Sequence, residues 1–147
     1  MIDELDRKII RAMNENARRS FRDIAREVQT SVTAVIAKVK KLEAQGVISG
    51  YIPLVNPEYF GLDLMAIIAL RISKGKLLET QQRISQDRRV TAVYDITGEW
   101  DSLVVGRFKG RDDLNDFIKS ILALPNVDRT VTHLVLNVMK EEKRIEV

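Results

Sequence analysis

The sequence predicts an α+β protein of two domains: a winged helix-turn-helix over residues 1–50, a linker strand over 51–62, and a domain of mixed strands and helices over 63–147. Three observations predict it. Apolar residues recur at helical spacing in three successive stretches of the first 46 residues, separated by turns short enough to force close helix packing. From Leu62 onward the pattern changes to strands alternating with helices. The charge is also uneven: residues 1–50 hold ten Lys/Arg against seven Asp/Glu, whereas residues 51–147 hold fourteen of each, so the net +3 lies with the helices.

Asp3 is placed to cap a first helix, with Glu4 and Asp6 in its first turn at the positive end of the helix dipole. Leu5, Ile9, Ile10 and Met13 supply its apolar stripe, and it should end near Asn16. Ser20 caps a second helix and Asp23, three residues on, approximates a capping box; Phe21, Ile24, Ala25 and Val28 are expected to face inward. Ser31 caps the third, in which Val32, Val35, Ile36, Val39 and Leu42 fall on one stripe and Gly46 supplies the stop. Two such helices across a tight turn make a helix-turn-helix.

The face left free on the third helix carries Thr33, Ala37, Lys40, Lys41 and Ala44, with Ala34 and Lys38 at its edge. Small side chains near the helix start let the backbone approach base edges, and lysines further along meet phosphate. Between Arg18 and Lys41 there are seven basic and two acidic residues, an electrostatic footprint suited to double-stranded DNA. The candidate DNA-binding residues are Arg18, Arg19, Arg22, Ser31, Thr33, Ala34, Ala37, Lys38 and Lys41, with Arg26 beside the arginines. The face carries no Arg, Asn or Gln for a bidentate base contact. Taken alone, this helix also reads as an ordinary core helix with a solvated lysine face.

Residues 46–57 are β-prone but broken by Gly50, Pro53 and Pro57, which suits a strand-like linker or a wing hairpin. A buried strand follows over Leu64–Ile72, then a helix over Lys76–Gln86 resting on Leu77, Leu78 and Ile84. Val90, Ala92, Tyr94 and Ile96 alternate with Thr91, Val93, Asp95 and Thr97 as a second strand, and Ser102–Phe108 forms a third. Asp112 should cap a helix carrying Leu114, Phe117, Ile118, Ile121 and Leu122, and Val127–Met139 is the last strand. The order βαββαβ is that of a ferredoxin-like split βαβ unit, with four antiparallel strands and both helices on one face. The other face would stay apolar, which predicts a partner surface.

With no cysteine, disulfides, thiolate metal sites and thiol catalysis are excluded, and the single His133 cannot build a histidine metal cluster. No catalytic residues, no metal and no cofactor are expected. The longest apolar run, Leu64 to Leu70, falls well short of the roughly 20 residues of a membrane span. The N-terminus begins acidic without a signal-peptide pattern, so a cytoplasmic protein with no membrane partner is expected.

The opening LDRKII, the helix SFRDIAREV, the block SVTAVIAKVKKLEAQGVISGY, the Gly98-Glu99-Trp100-Asp101 turn and the final VDRTVTHLVL occur in an order and spacing that resemble the Lrp/AsnC (feast/famine) family of prokaryotic transcription regulators. The resemblance runs from about Leu5 to Met139. It implies a winged helix-turn-helix, a β linker and a C-terminal ferredoxin-like domain of the RAM type. It further implies a homodimer formed through the sheet, assembly into octamers in some members, and an amino-acid effector bound between domains.

Carried over position by position, the implied effector residues are Gly98, Trp100 and Asp101 in the turn and Thr130 and Thr132 on the last strand. Gly98 amides would meet a carboxylate and Asp101 an ammonium group. A purely local hairpin, with Asp101 satisfying backbone, is the other reading of that turn, and the threonines are also simply good strand residues. Lys119, if it reached the same pocket, would favour an acidic ligand; otherwise it is a solvated helix lysine. Two positions depart from the family: Gln29 stands where the inter-helix turn usually has Gly, and Lys38 where the recognition helix usually has Arg. The expected function is a sequence-specific transcriptional regulator responsive to an amino acid. An architectural DNA-binding protein without effector, or a metabolite enzyme like the related sirohaem decarboxylases, are the alternatives.

Overall fold

A computed structural model describes residues 1–147. The chain divides into two compact units, residues 1–54 together with 140–147, and residues 55–139. Segment 140–147, grouped by sequence with the second domain, therefore lies with the first. Arg11 and Asn14 of the first helix donate hydrogen bonds to the backbone carbonyls of Val147 and Ile145.

In the first unit α1 spans Glu4–Glu15, α2 Phe21–Glu27 and α3 Val32–Ala44. Asp3 caps α1 through a full capping box. Its carboxylate accepts from the Asp6 amide, and the Asp6 carboxylate accepts from the Asp3 amide, each at 2.9 Å. Ile9, Ala12, Met13, Ile24, Ala25, Val35 and Val39 form the core. Phe21 and Val32, expected inside, are each 37% exposed. Each is the first residue of its helix, so it lies beyond the packed turns.

Residues 49–56 form no strand, so neither the linker strand nor a wing hairpin exists within this chain. Pro53 has no N–H to donate to a ladder. The Tyr51 hydroxyl instead donates to Glu43 at 2.8 Å. A 3-10 turn at Pro57–Phe60 follows, begun by the Asn56 side chain and ended by Gly61 in the left-handed region at φ 68°.

The second unit has the expected order: β1 Leu64–Ile72, α4 Leu77–Ser85, β2 Val90–Asp95, β3 Ser102–Phe108, α5 Arg111–Leu122 and β4 Val127–Leu134. The strands lie in the order β2-β3-β1-β4, all antiparallel. Ile84 from α4 and Leu114, Phe117 and Ile121 from α5 pack on Ala66, Ile68, Leu70, Val104 and Phe108, so both helices cover one face. The Phe108 and Phe117 rings meet at 5.3 Å. A side chain at Gly106 would place its Cβ 2.7 Å from the Phe108 ring, which explains the glycine there.

Four details depart from the sequence pattern. The register of β2 shifts between Val90 and Ala92, so Val90 and Val93 pack on the core while Tyr94 is exposed. Leu78 and Leu122 lie on the outer sides of their helices, 69% and 51% exposed. Gly110, not Asp112, is the N-cap of α5, and Asp112 lies within its first turn. β4 stops at Leu134 because β1, its pairing partner, begins at Leu64; the last bond runs from the Val135 amide to the Met65 carbonyl at 2.9 Å. On the face away from the helices, Ile67 lies between Val105 and His133 and Ala69 between Leu103 and Val131, while Met65 pairs with Arg107 and Arg71 with Arg129, so this face is mixed rather than wholly apolar. No helix of the chain is long and apolar enough to cross a membrane.

Candidate nucleic-acid interface

Four residues, Val28 to Ser31, connect α2 to α3, and their geometry sets how α3 is presented. Gln29 adopts φ 57°, the left-handed conformation that glycine takes without steric cost. The Thr30 amide then bonds the Ala25 carbonyl at 2.9 Å. Ser31 opens α3 by accepting from the Ala34 amide at 3.1 Å. Gln29→Gly should therefore raise the stability of the N-terminal unit by roughly 0.5–1 kcal/mol. Denaturant unfolding followed by circular dichroism measures it, and an unchanged or lowered midpoint would show that the turn is unstrained.

With Val35, Val39 and Leu42 buried, α3 turns Thr33, Ala37, Lys40, Lys41 and Ala44 to solvent. Ala34 is half-buried at the edge. Arg18 and Arg22 are exposed, and Arg26 lies 3.8 Å from Asp23. Two of the candidate DNA-binding cations are already engaged. Arg19 pairs with Glu27, which raises its pKa, and lies 3.8 Å from Glu15. Lys38 pairs with Asp3 and, at 3.1 Å, with Asp6.

That last cluster was not read from the sequence. Asp6 is 1% exposed. Its Oδ1 faces Lys38 Nζ as an ion pair without hydrogen-bond alignment. The Lys38 ammonium, with help from the Asp6 amide, holds the Asp3 carboxyl down to about 2. Asp3, then Asp6, raise the pKa of Lys38 in return. A signal was present: Asp6, Ile9 and Met13 are spaced three and four apart, so Asp6 lies on the buried stripe of α1.

In the second unit the implied effector residues fall into two sets. Gly98, at φ 111°, begins a turn in which the Asp101 amide bonds the Leu70 carbonyl at 3.0 Å. The Asp101 carboxylate accepts from the Ile72 amide at 2.8 Å, so one of its oxygens satisfies the end of β1. Trp100 stacks under the Arg129 guanidinium, 4.6 Å from ring centre, and Glu99 pairs with Arg129 at 2.9 Å. Arg129 lies opposite Arg71, whereas Thr130 and Thr132 lie opposite Leu70 and Ile68. The threonines thus share the helix-covered side of the sheet, and Arg129 and its Trp100 contact belong to the other. His133, opposite Ile67, is exposed on that other side too, and Lys119 is exposed on α5.

Comparisons with known proteins agree with this anatomy. Residues 2–43 match the AsnC-type helix-turn-helix domain, and residues 65–145 match the Lrp/AsnC ligand binding domain. The chain is 43% identical over 146 residues to an HTH-type transcriptional regulator of Pyrococcus abyssi, covering 99% of each. The structure of AsnC from E. coli superposes with a TM-score of 0.92 at 25% identity, over 100% of this chain and 99% of that one. The transcriptional regulator NMB0573 from Neisseria meningitidis, solved as a complex with L-Met, gives a TM-score of 0.90 at 25% identity over 99% and 96%.

Proposed function

The chain belongs to the Lrp/AsnC family of transcription regulators, and from that premise we propose that it binds specific duplex DNA through α3 and adjusts that binding to an amino acid or related metabolite. One observation carries the DNA reading: α3 buries Val35, Val39 and Leu42 while presenting Thr33, Ala37, Lys40 and Lys41 together. In the major groove Thr33 meets a base edge or a thymine methyl, and Ala37 lets the helix seat closely. Lys40, Lys41, Arg18 and Arg22 neutralise phosphates. Ser31 and Ala34 sit at the helix start, where the backbone comes nearest the DNA. Nothing in this reading requires catalysis.

The family's assembly supports a homodimer, in which the sheet face away from the helices, where Ile67, Leu103 and Val105 form an apolar patch beside His133 and Arg107, meets a second copy. Two α3 helices then address half-sites one or more helical turns apart. Whether dimers go on to octamers is an outcome of sizing the protein in solution. The L-Met complex of the Neisseria regulator supports an amino-acid effector here; its candidate contacts are the turn Gly98, Trp100, Asp101 on one side of the sheet and Thr130 and Thr132 on the other, so a single effector would engage one of the two sets. An effector acts only by binding one assembly or orientation better than another.

The test is a titration of the protein on the DNA upstream of its own gene and on scrambled DNA, across salt concentrations, with and without amino acids. Lys41→Ala should weaken binding to every sequence and reduce the slope of log K against log salt by about 0.9. Thr33→Val should alter which sequence is preferred while leaving the slope unchanged. Equal affinity for both DNAs would favour an architectural protein, and no binding at low salt would end the DNA reading.

A further inference from the structure

Of the three lysines on α3, Lys40 and Lys41 are exposed, but the Lys38 side chain is only 21% exposed and lies between two carboxylates of another helix. Asp3, 35 residues earlier, caps α1, and Asp6 is that helix's third residue and 1% exposed. Lys38 is the cation that pairs with Asp6. If Lys38 turned outward to a phosphate, Asp6 would remain buried with no counter-charge, one of the costlier arrangements inside a protein. The two carboxylates also bond each other's backbone amides, so the cation grips a rigid helix terminus rather than a loose surface acid.

We propose that Lys38 is a positioning residue for DNA recognition: it pins α3 to the N-terminus of α1 through buried Asp6 and capping Asp3, and does not itself contact phosphate. The inference rests on the DNA-binding reading and changes the part played by one residue within it. The bridge fixes the pitch of α3, and with it the depth at which Thr33 and Ala37 enter the groove. Arginine and lysine differ here in a physical way. A compact ammonium can sit between two carboxylates, whereas a planar fork is built for one bidentate partner.

The test uses the full chain with Lys38→Met, Asp6→Asn, the double variant and Lys41→Ala, each titrated on the upstream DNA at several salt concentrations. Circular dichroism fixes a temperature at which each is folded. Lys38→Met should weaken binding by about 10-fold, the scale of coupling within one ion-pair network, and leave the salt slope at the wild-type value. Asp6→Asn should weaken binding as well, and the double variant should bind no more weakly than either single one, because all three lack the same bridge. If Lys38 is instead a phosphate ligand, Lys38→Met lowers the slope by about 0.9 as Lys41→Ala does, and Asp6→Asn tightens binding by releasing the lysine. Either result overturns the proposal.

Should Lys38→Met fail to fold, Asp3→Asn decides the matter, since asparagine caps a helix as well as aspartate. Weaker binding then supports positioning, and unchanged or tighter binding overturns it. Loss of DNA binding in the unaltered protein would be a failure of the DNA reading, visible before any variant is made.

Discussion

Glutamate in place of Ala37 should lower DNA affinity by about 100-fold or more, because a like charge driven against phosphate costs several kcal/mol. Ala37 lies at the centre of the exposed face of α3, one turn from both Thr33 and Lys41. Its side chain is exposed, and glutamate is nearly as good a helix former as alanine, so the fold should be untouched. The measurements are a binding titration beside a thermal unfolding curve. Lost binding with unchanged unfolding places the DNA face on this side of α3. Retained binding would put that face elsewhere on the molecule.

Arg89→Ala should destabilise the C-terminal unit by about 3 kcal/mol. Arg89 grips Asp87 through two bonds of 3.0 and 2.7 Å, and reaches Asp113 at 3.0 Å and Asp116 at 2.9 Å. Its guanidinium also lies 5.1 Å from the centre of the Phe117 ring. At 22% side-chain exposure it is partly shielded from solvent, and its removal leaves the part-buried carboxylates of Asp87 and Asp113 without their shared cation. Trp100, the only tryptophan, lies in this unit and reports its unfolding by fluorescence.

The pH dependence follows from the same contacts. Arg89 holds Asp87 below the usual carboxylate range; the Lys109 amide and then Arg89 do the same for Asp113. A depressed carboxylate adds stability that is present above its unfolded pKa, near 3.9, and disappears as pH falls through the lower folded value. The gap between wild type and Arg89→Ala should therefore be full at neutral pH and close below about pH 4. A gap that persists undiminished into acid would mean that lost packing, not lost charge, is responsible.

Much of the helix-turn-helix was legible because its signals are local. Ser20 and Ser31 bond amides three residues on, Gly46 takes φ 70° after α3, and the stripe of Val35, Val39 and Leu42 is buried as spaced. The strain at Gln29 was legible too, from a side chain where a turn of this kind calls for glycine. Likewise the strand and helix order of the second unit can be read from periodicity, because each element's pattern depends on residues a few positions apart.

Tertiary structure alone decided what depends on distant partners. The β2 bulge that sends Val93 to the core is set by its pairing with Val104, and the length of β4 by where β1 begins. Phe21 and Val32 have the right spacing but, as the first residues of their helices, stay 37% exposed. Lys38 looked like its neighbours Lys40 and Lys41, and only the fold brings it to Asp3, 35 residues away, and to a carboxylate buried on α1. Periodicity tells which face of a helix is covered; which charge waits underneath is known only once the helices have packed.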